Sequence, residues 1–185
     1  MGSLVNKMNL EKHTVKLNDE YTHYYMFDYT PEMKYLLKRY KFNKDILVAD
    51  VLFKLMMIWW DKLPKESLSG IDSIAVVPIH RFRYLYRGFN QSEVIAQEIA
   101  DNLSIDTTFD SYKRVKYSKA QAKSSKEART TNIDGAFTLT KEINCNHLLV
   151  FDDVYTTGST LHEFIKTICN GSMIKKVTII TIIRA

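Results

Sequence analysis

Two adjacent carboxylates, Asp152 and Asp153, follow the apolar run Leu148-Leu149-Val150-Phe151, and two residues later the stretch Thr156-Thr157-Gly158-Ser159-Thr160 begins. The second group suits an anion. Where a strand passes into a helix, the first backbone N–H groups have no intrahelical acceptor and carry partial positive charge, which favours a phosphate. Gly158 lets the backbone come close, and the hydroxyls of Thr156, Thr157, Ser159 and Thr160 can donate to phosphate oxygens. Two carboxylates beside such a cradle would repel a phosphate that touched them. They suit a ligand that turns hydroxyls to the acids and its phosphate to the loop, as a ribose 5-phosphate does. Taken singly, each acid has a plainer use, Asp153 as a cap for the loop and Asp152 as the partner of a lysine.

Other chemistries lack their residues. Neither GxxxxGK[ST] nor GxGxxG occurs. His162-Glu163-Phe164-Ile165-Lys166 misses HExxH at its last position, and the remaining histidines set no metal spacing. Cys145 and Cys169 are too few and too far apart for a zinc ribbon or a redox CxxC.

Basic residues gather in three groups: Lys34 to Lys44, then Arg81, Arg83 and Arg87, then Lys113 to Arg129. The last two follow predicted strands, which makes Arg81, Arg83, Arg87 and Arg129 candidates for phosphate contact through the planar guanidinium fork. Arg87 ranks first, with an ion pair to a nearby acid as its plainer use. The first group reads equally well as a solvated face.

The elements that must position these residues follow from patterning. With 185 residues, 45% hydrophobic and 25% charged, and a net charge of +5, the chain suits one soluble globular domain with some bias toward anionic ligands. Its longest apolar stretch is broken by Asp50 and Lys54, and its start has no signal-type apolar core, so a cytoplasmic protein without membrane insertion is expected. Residues 1–20 are polar and read as a loose arm ahead of a domain over 21–185. Strands are predicted at 21–29, 73–79, 112–117, 147–151 and 176–183, and helices from Pro31 through Tyr40, from about Lys44 to Trp60, at 91–104 and at 159–169. Val94, Ile95, Ile99 and Leu103 face inward on the third helix, and Asn170-Gly171 suits the C-terminal cap of the last. Alternating apolar strands and helices imply a mainly parallel central sheet covered on both faces, with ligands at the carboxyl ends of its strands. Residues 78–90 and 152–160 lie at such ends, and 119–132 is a polar loop.

The contiguous string LLVFDDVYTTGST resembles the phosphoribosyl pyrophosphate (PRPP) motif of type I phosphoribosyltransferases. That resemblance implies that Asp152 and Asp153 bind the ribose 2- and 3-hydroxyls and that Thr156, Thr157, Gly158, Ser159 and Thr160 hold the 5-phosphate. Three further blocks, YTPEMKYLLKRYKFNKD, VVPIHRFRYLYRGFNQSEVIA and QAKSSKEARTTNIDGAF, resemble the ComF (ComFC/GntX-like) competence family. Matching positions include Lys41-Phe42, Pro78, Arg83, Arg87 to Gln91, Gln121, Arg129, Asn132, Gly135 and Phe137. The resemblance covers roughly residues 21–185. ComF proteins commonly begin with a four-cysteine zinc module; this chain has no cysteine before Cys145, so no zinc is expected.

The resemblance implies the type I phosphoribosyltransferase fold with a small hood, in which 117–132 is placed like the mobile loop that covers the reacting centre. It implies Arg81, Arg83, Arg87 and Arg129 on pyrophosphate, catalytic work by Asp152, Asp153 and Arg87, and Mg²⁺ arriving with PRPP and touching Asp152 and Asp153 at most through water. Three functions stay open on the residues. One is a phosphoribosyltransferase of nucleotide metabolism or salvage with an unknown acceptor. Another is a factor for natural transformation whose partners are single-stranded DNA and competence-machinery proteins, with Tyr35, Tyr40, Tyr84 and Tyr86 as stacking groups. The third is a PRPP-sensing regulator.

Overall fold

The computed structural model describes residues 2–11, 13–16, 20–43, 46–116 and 133–185. In chain order the first elements are α1 (Gly2–Val5), β1 (His13–Lys16), β2 (Glu20–Asp28), α2 (Pro31–Asn43), α3 (Ile46–Trp60), α4 (Lys65–Leu68) and β3 (Ser73–Val76). They continue as α5 (Arg81–Arg87), α6 (Gln91–Leu103), β4 (Asp106–Thr107), β5 (Tyr112–Arg114), β6 (Phe137–Leu139), β7 (Asn144–Tyr155), α7 (Ser159–Cys169) and β8 (Met173–Arg184).

Six strands form one sheet in the order β1-β2-β8-β7-β3-β4, parallel throughout except for the β1–β2 edge. This is the mainly parallel sheet that the alternating pattern predicts. Its strands are apolar along their length because both faces are covered. Ile74, Val76, Leu149 and Phe151 join the core built with α2, α3 and α6. Their neighbours Ala75, Val77, Leu148 and Val150 join a second core with α7, β5 and β6. The apolar stripe of α7 is Leu161, Phe164, Ile165 and Ile168, the i, i+3, i+4, i+7 spacing of a half-buried helix. The antiparallel pair β5–β6 lies over this second face, with Phe164 edge-on to Tyr112 and Phe137 at 4.7 and 5.4 Å. Tyr112 also accepts a hydrogen bond from the Val76 N–H at 2.8 Å, which ties this small sheet to β3. Near the start of the chain, Leu4, Val5 and Met8 rest on the first core, and the Asn9 N–H donates to the Met26 carbonyl at 2.8 Å.

Several local expectations need correction. Residues 81–87, where no helix is predicted, form α5; His80 caps it by accepting the Phe82 N–H, and Gly88 ends it in the left-handed region at φ 84°. No residue of α5 is buried, so it leaves no periodic apolar trace in the sequence. Strand β7 does not stop at Phe151 but continues through both acids to Tyr155. Val94 is exposed on α6. The last helix ends where expected, but at Asn170 in a right-handed conformation. At Gly171 a Cβ would lie 2.8 Å from Leu139 Cδ2, so the leucine tip packs onto the space that the glycine leaves.

At the amino end of β7, Asp72 accepts hydrogen bonds from the Asn146 N–H at 2.9 Å, the Asn146 side-chain amide at 3.0 Å and the His147 N–H at 3.2 Å. Among the described residues no helix is long and apolar enough to cross a membrane.

Candidate functional site

A cleft of about 200 Å³ opens at the carboxyl ends of β3 and β7. β7 supplies Asp152 and Asp153, the β7–α7 turn supplies Thr156 to Gly158, and α7 begins with Ser159 and Thr160. Arg83 and Arg87 come from α5, Asn90 to Ser92 from the start of α6, Lys41 from the last turn of α2, and Arg114 from β5. Among the described residues, the acidic pair and the loop thus share one cavity with four cations.

Pairing of β7 with β8 at Asp152–Thr181 and Val154–Ile183 fixes the backbone of the two acids. With a side-chain period of two, they leave the strand toward opposite faces. Asp152 accepts the Asp153 N–H at 2.9 Å and the Ser92 hydroxyl at 3.3 Å. Asp153, itself buried, forms an ion pair with Lys41. Of the two plainer uses, the lysine goes to Asp153 rather than Asp152, and Asp152 accepts the N–H of its neighbour within the strand rather than one in the loop. Burial, and then the negative charge of Asp153, push the Asp152 carboxyl up to about 7, against the opposing pull of Lys41 and its two hydrogen bonds.

Across the cleft, Arg87 donates to the Gln91 side-chain oxygen at 3.0 Å. Burial and the neighbouring Arg83 lower its pKa, and Asp153 works in the other direction. Arg114 is lowered to about 10 by burial and then by Arg83, with Asp152 opposing. Arg83 thus disfavours the charge on both Arg87 and Arg114. An anion in the cleft offsets this.

The turn is built around Gly158, which sits at φ 74° as the N-cap of α7. A Cβ there would collide with the Tyr155 ring and lie 2.8 Å from His162 Nε2. The Thr157 and Ser159 hydroxyls are 2.9 Å apart, and the Ser159 N–H reaches Thr157 Oγ1 at 3.4 Å. The turn and the first residues of α7 thus line the same cleft as the two acids.

Of the residues singled out from sequence, Asp152, Asp153, Arg83, Arg87 and Thr156 to Thr160 meet in this cleft. Arg81 is exposed on α5 and does not line it. Arg129 and the 117–132 loop lie outside the described residues. Tyr40, offered as a stacking group, is buried at 1% exposure and donates its hydroxyl to the Gln91 carbonyl at 2.8 Å, so it belongs to the core. Sequence reasoning did not assign Lys41, Ser92 or Arg114 to the site. No local signal marks Ser92; Arg114 and Lys41 were visible only as members of basic groups, and Lys41 also as a position shared with a family.

No protein-family model matches the chain. Individual relatives do. DNA utilization protein YhgH of Escherichia coli K12 is 30% identical over 139 residues, covering 74% of this chain and 60% of that protein. Competence protein F of Haemophilus influenzae is 31% identical over 142 residues, covering 75% and 62%. Competence protein ComFC of Streptococcus pneumoniae is 28% identical over 165 residues, covering 88% and 68%. The chain is similar to competence proteins of the ComF kind over most of its own length. It spans about three fifths of the length of the first two relatives. Of the ComF-like positions, Lys41, Pro78, Arg83, Arg87, Asn90 and Gln91 all line the cleft, although they come from three separate elements and their connections.

Proposed function

We propose that this cleft binds PRPP and that the protein is a phosphoribosyltransferase-like ComF protein acting in DNA uptake during natural transformation. The observation that carries the reading is the convergence, in one cavity, of the acidic pair, the Thr/Gly/Ser turn and Arg83, Arg87 and Arg114. The sheet order and the small β5–β6 pair over one face fit a type I phosphoribosyltransferase fold with its hood. In this reading Asp152 and Asp153 accept hydrogen bonds from the ribose hydroxyls. The start of α7 and the hydroxyls of Thr156, Thr157, Ser159 and Thr160 take the 5-phosphate, and the arginines take the pyrophosphate. Their fixed positive charge would favour departure of pyrophosphate from ribose C1 when a nitrogen nucleophile attacks.

The residues present fit a magnesium ion carried in by the ligand rather than one caged by protein. Among the described residues no three His, Cys, Asp or Glu side chains gather to hold a metal, whereas two carboxylates face the cleft. Bound magnesium would neutralise charge on the leaving pyrophosphate. The role in DNA uptake is supported by relatives that are themselves named for competence and DNA utilization.

Single-stranded DNA as a direct partner is favoured by one observation. On α5, Phe82, Tyr84 and Tyr86 are 62%, 50% and 80% exposed and alternate with Arg81, Arg83 and Arg87, a pairing of stacking faces with charge that suits unpaired bases. A DNA affinity that falls steeply with salt and drops in Tyr84→Ala/Tyr86→Ala supports this partner; salt-insensitive or unaltered binding removes it.

Calorimetry with PRPP and Mg²⁺ tests the central reading. Wild type binds, and Asp152→Asn/Asp153→Asn weakens binding at least about 100-fold, the cost of removing two charge-assisted hydrogen-bond acceptors. No binding by wild type, or unaltered binding in the variant, overturns it. Pyrophosphate release with a panel of bases and amines then separates a transferase from a PRPP sensor.

A further inference from the structure

We infer that Lys41 is the resident cation of the ribose site: it neutralises Asp153, so that the acidic pair engages a ribose phosphate without a divalent metal. The inference rests on the PRPP reading and adds a residue that the acidic motif does not contain, 112 positions away in the chain from its partner.

Two adjacent carboxylates cannot both stay ionised cheaply in a half-dry cleft without a cation close by. A metal bound to the ligand is one source of that charge. The fold supplies another: Lys41 Nζ forms an ion pair with Asp153, with the two side chains only 24% and 11% exposed, so bulk salt screens the pair poorly. Its charge also acts on Asp152, opposing the rise that burial and Asp153 impose there.

The backbone that presents this ammonium is braced. Gln91, at the start of α6, receives the Tyr40 hydroxyl on its carbonyl at 2.8 Å and donates its amide to the Lys41 carbonyl at 3.4 Å. The side-chain oxygen of the same Gln91 accepts from Arg87 at 3.0 Å. One glutamine therefore sets the last turn of α2 against the acids and the arginine of the opposite wall in a single geometry. A lysine serving only as a surface partner would need no such frame.

The test separates ribose from pyrophosphate by using two probes, ribose 5-phosphate and PRPP, each titrated with Mg²⁺ and with EDTA. Lys41→Met removes the charge and Lys41→Arg retains it, and all proteins are compared below their unfolding midpoints. Wild type is expected to bind ribose 5-phosphate equally, within about twofold, in Mg²⁺ and in EDTA. Lys41→Met loses about tenfold or more in EDTA and regains part of it with Mg²⁺, the scale of leaving one buried charge unpartnered, while Lys41→Arg stays near wild type. A wild-type affinity for ribose 5-phosphate that collapses in EDTA, or a Lys41→Met protein that binds like wild type, overturns the inference while leaving PRPP binding intact. Failure of wild type to bind either probe in either condition overturns the PRPP reading itself.

Discussion

Strand β7 meets an aspartate at each end, and the two are treated in opposite ways. At the amino end Asp72 is surrounded by donors. Burial alone would raise its pKa, but the N–H groups of Asn146 and His147 and the Asn146 amide more than offset this and hold it below the ordinary carboxylate range. At the carboxyl end Asp152 has one backbone donor and one hydroxyl, a second carboxylate beside it, and a pKa pushed up to about 7. The same side chain is a clasp at one end and a store of unfavourable energy at the other. Function collects where polar groups are left unsatisfied by the fold, because only there can a ligand improve matters.

The contrast is testable by exchanging what each end has. The largest effect is expected at the satisfied end. Asp72→Ala removes the acceptor of one half-buried and two exposed donors and should lower stability by about 2 kcal/mol in urea unfolding, with the proposed PRPP binding unchanged. A fall in affinity as large as that in stability would mean that the two ends are not separate. Gly158→Ala comes next. Its left-handed φ and the collision with Tyr155 and His162 should cost about 1–2 kcal/mol and weaken phosphate binding, and adding His162→Ala should recover little because the backbone strain persists.

The smallest effect has the opposite sign. Because Asp152 is raised, the native state keeps a proton that the unfolded chain releases near pH 4, so stability should fall as pH rises from about 4 to about 7. Asp72 is lowered, so its contribution is full above the ordinary carboxylate pKa and is lost as pH falls below it. Asp152→Asn keeps the acceptor for the Asp153 N–H and removes the charge, and should gain on the order of 1 kcal/mol at pH 8 while losing the ligand. Equal stability of the two proteins across pH 4–8 would show that Asp152 carries no strain.

The site divides into what one chain segment can state and what only folding assembles. The acids, the hydroxyl turn and α7 are consecutive in sequence, and each has a local physical signature: an apolar run, a charge pair, a glycine with Thr and Ser around it. The parallel sheet was legible from the same apolar runs. The α5 helix was not, because a helix that buries nothing shows no period, and its limits are set by the His80 cap and the left-handed Gly88 instead. Lys41, Ser92 and Arg114 were not assigned to the site because their meaning comes from Asp152 and Asp153, which stand 38 or more positions away. Nor does a strand's hydrophobic pattern reveal that it continues into polar residues; β7 runs through Asp152 and Asp153 because β8 supplies the ladder there.

That ladder has a thermodynamic consequence. Two carboxylates on a flexible loop would have to be gathered each time a ligand arrived, and the lost freedom would count against affinity. Here their spacing and their opposite directions are settled when β7 zips onto β8, so the entropy is given up once, on folding, before any ligand arrives.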